Sequence, residues 1–169
     1  MKILLSKDVI AARVRELAAE VSAHYRGKQL HCIALMNGAL TFTADLIRHL
    51  DVELSLDTLN VSSYCGHASS GELSIRSALK IPVAGREVLL IDDILDTGLT
   101  LQKVSEHLRQ EGATHVKTCI LLDKDVPRKP GALAHADFTG FHIGNEYVAG
   151  YGIDDNEFSR NLPDIIVCE

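Results

Sequence analysis

The hydrophobic positions of this chain fall into runs of two kinds, and the two kinds alternate along its length. Ile10, Val14, Leu17 and Val21 recur at three- and four-residue intervals, the spacing of one face of an α-helix. Ser6 stands ahead of them as an N-cap and Gly27 behind them as a stop, which predicts a helix from Ser6 to about Tyr25. Leu30 to Met36 is instead a continuous apolar run of strand length. Beyond it, Leu40 to Leu50 reads as helix and Val52 to Val61 as a strand in which Val52, Leu54 and Leu56 alternate. Val88 to Ile91 is a short buried strand, Leu99 to Gln110 a helix ended by Gly112, and Val116 to Leu122 a further buried strand. Such alternation implies an α/β fold, a central and mostly parallel twisted sheet flanked by helices.

One stretch breaks the rhythm. Ser62 to Lys80 is long, polar and rich in Ser and Gly, the character of a lid or a loose connector. No repeat, low-complexity tract or interdomain linker is evident, so residues 1–169 are expected to form a single domain with a mobile lid at about 62–80.

Composition narrows the function. The chain is 46% hydrophobic with a net charge of −6 and a pI near 5.7, so no broad basic field attracts nucleic acid or an acidic membrane. An anionic substrate must be held locally, by amides, a few cations and metal. Between Met1 and Asp8 the apolar run is only Ile3-Leu4-Leu5, too short for a signal or a span, which places the protein in the cytoplasm. Cys32, Cys65, Cys119 and Cys168 are widely spaced without a C-x-x-C pair, signalling neither a disulfide framework nor a zinc site. Cys32 and Cys119 lie in apolar runs and read as small core residues. Among the eight histidines, His115, His135 and His142 read as surface or edge positions.

The chemistry concentrates between Glu87 and Leu101. An apolar strand runs into Asp92 and Asp93 and then into Asp96-Thr97-Gly98-Leu99-Thr100. Acids at the carboxyl end of a parallel strand sit where open α/β sheets bind ligands. Gly98 allows close backbone approach, and the amides and hydroxyls of Thr97, Leu99 and Thr100 open a helix at its positive end, an anion site.

This run resembles the PRPP (phosphoribosyl pyrophosphate) signature of the type I phosphoribosyltransferases. The resemblance implies that Asp92 and Asp93 hold the ribose hydroxyls and metal, and that Asp96, Thr97, Gly98, Leu99 and Thr100 cradle the 5′-phosphate. Further segments resemble the 6-oxopurine branch of that family, from about Ser6 to the C-terminus. Met36-Asn37-Gly38-Ala39 looks like its pyrophosphate loop, with a non-proline cis peptide at Met36–Asn37. Many relatives carry Lys or Arg at the Asn37 position, so a backbone contact is implied there and a side-chain contact is left open. Ser63-Tyr64 is similar to the start of the mobile catalytic loop, and Arg160 to an arginine that approaches pyrophosphate. Leu121-Leu122-Asp123-Lys124 matches the strand whose lysine donates to the purine 6-oxo group. By the same match Tyr147 stacks on the purine, the Val148 main chain reads its edge, Ile153 lines the pocket, and Asp154 assists a magnesium ion. Gly144-Asn145 and Asp155 depart from the pattern at the pocket rim.

Asp96 narrows the reaction, because a carboxylate at that place in the family sits beside N7 of a 6-oxopurine and suits proton transfer. The resemblance therefore implies transfer of phosphoribosyl from PRPP to N9 of hypoxanthine or guanine, with xanthine as a further candidate, giving the nucleoside monophosphate and pyrophosphate. Mg²⁺ is the implied cofactor and a dimer or tetramer the implied assembly, with a small hood built from the chain termini. Two rivals remain at this level: a nucleotide-binding regulator of the same fold without activity, and a receiver-type signalling domain, whose paired acids also bind Mg²⁺.

Overall fold

The computed structural model describes residues 2–63, 73–75 and 77–168. In chain order the elements are β1 (Lys2–Leu5), α1 (Lys7–His24), β2 (Leu30–Met36), α2 (Leu40–Ile47), β3 (Leu54–Ser63), β4 (Leu73–Ile75), β5 (Glu87–Leu95), α3 (Leu99–Gln110), β6 (His115–Lys124), β7 (Phe138–Ile143), β8 (Val148–Ala149) and β9 (Ile165–Val167). The main sheet has the order β4-β3-β2-β5-β6-β7. Its strands β3, β2, β5, β6 and β7 run parallel, and β4 is an antiparallel edge on β3.

The continuous apolar runs become the inner strands because both faces of this sheet are covered. On one face α1 buries Ile10, Val14, Leu17, Ala18 and Val21 against a cluster that includes Cys32, Leu89, Ile91 and Leu121. On the other, α3 buries Leu101, Val104 and Leu108 with Ile33, Leu90 and Ile120. Each buried Val, Leu or Ile side chain contributes about 1.5–3 kcal/mol relative to exposure. Ser6 caps α1, its hydroxyl accepting from the Val9 N–H at 3.4 Å. Cys32 and Cys119 are fully buried free thiols. Burial pushes Cys32 up to about 12 and Cys119 higher still, as expected of inert core positions.

The termini form a separate three-stranded antiparallel sheet, β1-β9-β8, the hood expected from the resemblance. It packs into the core through Val148 and Ile165, and two hydrogen bonds flank that contact. The Lys7 N–H donates to Asp164 Oδ1 at 2.7 Å, and the Tyr151 hydroxyl donates to Asp45 Oδ2 at 2.6 Å.

Three sequence boundaries are corrected. α2 ends at Ile47 rather than Leu50, and β3 begins at Leu54 rather than Val52. The stretch read as a loop from Ser62 is strand through Ser63 and again at Leu73–Ile75, where Val61 pairs with Ile75. Its far end is pinned as well: the Ser77 hydroxyl accepts from the Asn60 N–H at 2.9 Å, and Asp57 accepts from the Lys80 and Ile81 N–H groups at 2.6 and 3.0 Å. Polar composition concealed this, because the ladder is built from backbone groups and needs few apolar side chains.

Candidate active site

The site lies beyond the carboxyl ends of β2, β5 and β6. The chain leaves β2 towards β3 on one side of the sheet and leaves β5 towards β6 on the other, and such a switch opens a crevice between the two loops.

The loop after β2 is Asn37-Gly38-Ala39. The Met36–Asn37 peptide is cis, the geometry expected at that bond. Gly38 packs so closely on Asp93 that a Cβ there would collide with the carboxylate. A Cβ on Gly152, where φ is +100°, would come within 2.6 Å of the Gly38 carbonyl oxygen and 3.2 Å of Thr41 Oγ1. Two glycines thus let the loop slot between the acid pair and the hood.

β5 does not stop before its acids, as the sequence suggested. Asp92 pairs with Ile120, Ile94 with Leu122 and Leu95 with Asp123. The strand continues because Ile94 and Leu95 bury on opposite faces, one in each apolar cluster, and this alternation keeps the chain extended. Asp92 and Asp93 are half-buried within it, with Asp92 Oδ1 accepting from the Asp93 N–H at 3.0 Å. Burial, and then the neighbouring Asp93 charge, hold Asp92 well above the usual carboxylate range. Burial also pushes Asp93 up, against a hydrogen bond from Asp92 and the charge of Arg160. Two crowded carboxylates of this kind are relieved by hydroxyl donors or a cation.

The turn beyond leaves the start of α3 open. Gly98 is the N-cap of α3 in the left-handed region, φ +77°, and no side chain caps the helix. No acid occupies the first turn, so the amides of Leu99 and Thr100 and the helix dipole favour an anion. Asp96 and Thr97 are exposed, Leu99 and Thr100 half-buried.

Across from the turn, Lys124 ends β6 and is only 9% exposed. Val148 and Ile153 are buried, whereas Tyr147 is 54% exposed; the tyrosine is not a core residue and its ring is available for stacking. Asp154 is engaged, one oxygen 2.8 Å from Arg160 and the other accepting from the Glu157 N–H at 3.0 Å. Arg160 also donates to the Gly152 carbonyl at 2.9 Å. Ser63 ends β3; Tyr64 lies outside the described residues, as does Cys65. No group of three or more His, Cys, Asp or Glu side chains forms a metal cage among the described residues. A paired carboxylate without a cage suits Mg²⁺, which typically binds through one or two carboxylates, waters and substrate phosphates.

Sequence reading passed over Arg128, which sits behind the turn and donates to the carbonyls of Leu95 and Asp96. An arginine between prolines looks like a solvent residue, and nothing local marks it otherwise. His115 and His142 are exposed, as read, and flank Glu87 and Asp123 at 3.2 and 3.5 Å.

Comparison with known proteins gives one family. The chain is 44% identical over 163 residues to a hypoxanthine-guanine phosphoribosyltransferase of Bacillus subtilis, covering 96% of this chain and 89% of that one. It is 40% identical over 162 residues to a hypoxanthine-guanine-xanthine phosphoribosyltransferase of Tritrichomonas foetus, covering 96% and 88%. The structure matches that of a hypoxanthine-guanine phosphoribosyltransferase from Bacillus anthracis with a TM-score of 0.94 at 33% identity, over 100% of this chain and 99% of the other. Residues 2–156 match the phosphoribosyl transferase domain family, and with the crevice, acid pair and open helix end described above, the chain belongs to that family.

Proposed function

We propose that this protein transfers the 5-phosphoribosyl group of PRPP to N9 of hypoxanthine or guanine, with xanthine a further candidate, releasing pyrophosphate and a purine nucleoside monophosphate. The observation that carries this reading is the parallel pairing of Leu95 with Asp123. Beyond that pair Asp96 opens the turn after β5 and Lys124 is the last residue of β6, so the two come from neighbouring strand ends. N7 and O6 are adjacent on a 6-oxopurine. A carboxylate and an ammonium from neighbouring strand ends suit that edge, Asp96 taking the proton from the imidazole side and Lys124 donating to O6.

The rest of the crevice has matching tasks. The open end of α3, with Thr97, Gly98, Leu99 and Thr100, holds the 5′-phosphate, and Asp92 and Asp93 hold the ribose hydroxyls. Asn37, Gly38 and Arg160 face the pyrophosphate, with Ser63 and Tyr64 completing the set at the start of the segment proposed as a lid that excludes water. Tyr147 stacks on the purine, with the Val148 main chain and Ile153 at its edge. Asp92, Asp93 and Asp154 would hold Mg²⁺, which would neutralise the charge of the leaving diphosphate. Among the described residues no helix is long and apolar enough to cross a membrane. A cytoplasmic homo-oligomer, dimer or tetramer, is the assembly proposed with this reading.

The test is pyrophosphate release from PRPP with hypoxanthine, guanine and adenine, in the parent and in Lys124→Met. An ammonium has donors and no acceptor, so it meets the 6-amino group of adenine donor to donor. Adenine is expected to be rejected, by as much as ~10⁴ in kcat/KM, and Lys124→Met is expected to lose efficiency with both 6-oxopurines. Equal use of adenine and hypoxanthine by the parent overturns the purine pocket.

A further inference from the structure

The turn that carries Asp96 is held from behind by a single side chain. Arg128 donates from Nη1 to the carbonyl oxygens of Leu95, at 3.4 Å, and Asp96. Its Nε donates to the Ala134 carbonyl at 3.2 Å, and its Nη2 to Asp123 Oδ1. Asp123 is 4% exposed and immediately precedes Lys124. One guanidinium therefore joins the turn bearing the proposed base to the strand end bearing the proposed purine donor. The same loop reinforces the clamp: the Lys129 N–H donates to the Thr97 carbonyl at 3.3 Å and the Leu133 N–H to that of Gly98 at 3.1 Å.

We propose, on the reading of transfer to a 6-oxopurine, that Arg128 is a positioning residue that fixes the spacing between Asp96 and Lys124. Its role is exerted through the turn and Asp123 rather than by contact with the reacting atoms. Four acceptors around one planar fork need the five-donor geometry of arginine, and a lysine keeps the charge while losing the fork. Displacing Asp96 by a fraction of an ångström relative to N7 weakens proton transfer, whereas the phosphate amides are held independently by α3 and by Lys129 and Leu133. Loss of Arg128 should therefore lower kcat and spare PRPP binding.

The experiment compares the parent with Arg128→Lys and Arg128→Ala in steady-state kinetics with PRPP and hypoxanthine, with thermal melts to confirm folding. Arg128→Lys is expected to lower kcat by ~10-fold or more, because small misplacements of reacting groups carry penalties of that order, with the PRPP KM within about threefold of the parent. Arg128→Ala leaves a hole opening on a cavity of ≈ 500 Å³ lined by Asp123, Ala134 and His135. Added methylguanidinium is expected to refill it and restore part of kcat in Arg128→Ala and not in Arg128→Lys. An unchanged kcat in Arg128→Lys, or a loss confined to KM, overturns the proposal while leaving the assigned reaction standing. A parent that releases no pyrophosphate with any 6-oxopurine overturns the reaction and the positioning role together. If Arg128→Ala fails to fold, Arg128→Lys decides by its kcat and KM alone.

Discussion

Asp96 is exposed on a turn whose backbone is anchored from behind, so its side chain is free to act without holding the fold. Asp96→Asn is expected to keep PRPP binding and the melting temperature of the parent, and to lower turnover ~10²-fold or more, since an amide cannot accept the proton. Presteady-state binding and steady-state turnover separate the two effects; turnover within a factor of two of the parent removes Asp96 from the mechanism. In the proposed reading Thr100 acts in the opposite way, on binding. Thr100→Val removes one hydroxyl from an anion site while keeping the shape of the first turn of α3, and is expected to weaken PRPP binding by ~1.5–3 kcal/mol, the worth of a hydrogen bond to a charged group. Calorimetric titration with PRPP measures it, and unchanged affinity counts against the cradle.

At the scale of elements, the connection from β5 to α3 depends on Gly98. Its φ of +77° is one that side chains rarely adopt, and an added Cβ would collide with the Leu133 carbonyl. Gly98→Ala therefore combines left-handed strain, about 1–3 kcal/mol, with separation of the clamp loop from the turn. Chemical denaturation is expected to show a loss within or above that range, accompanied by weaker PRPP affinity. A stability equal to that of the parent would mean that the turn and the loop are not packed as described. Elements at the sheet margins behave similarly: Arg13 of α1 donates to the carbonyls of Gly140 and Thr139 at 2.9 Å each, covering edge groups of β7 that would otherwise invite pairing.

Across the whole molecule, the acid pair sets stability against function. Asp92 is held well above its ordinary value of 3.8, so the folded state binds its proton more tightly than the unfolded chain. Its contribution is therefore full at acid pH and is lost as pH rises through the folded value. At neutral pH the pair destabilises the ligand-free fold, and Asp92→Asn, which removes the like charge, is expected to melt above the parent and to bind PRPP less well. The difference should shrink as the pH is lowered from about 8 towards about 4, which melting curves across that range follow. Asp57, Asp137 and Glu87 lie below the usual carboxylate range, and burial with the Arg86 charge holds His31 below its ordinary 6.5. These groups give parent and variant a common loss of stability on acidification. A variant that melts below the parent at neutral pH contradicts the strain assigned to the pair.

What the sequence determined by itself was local. Leu30–Met36 and Leu99–Gln110 were legible to the residue, because an unbroken apolar run and a three-to-four spacing each admit one buried arrangement. The turn after β5 was legible because the left-handed Gly98 and the uncapped start of α3 are consecutive, so a short string carries both the turn and its open amides. Tertiary structure decided whatever joins distant segments. β8 and β9 have two and three residues, too few for a period, and form only because the chain returns to set β9 between β1 and β8. β5 outran its apolar run because Asp92 and Asp93 could extend a ladder already fixed by β6, with Ile94 and Leu95 burying beyond them. Arg128, Asp123 and the contact of Gly38 with Asp93 were invisible for the same reason: their meaning lies in which strand ends the sheet sets side by side, and strand order is chosen by packing of the whole core.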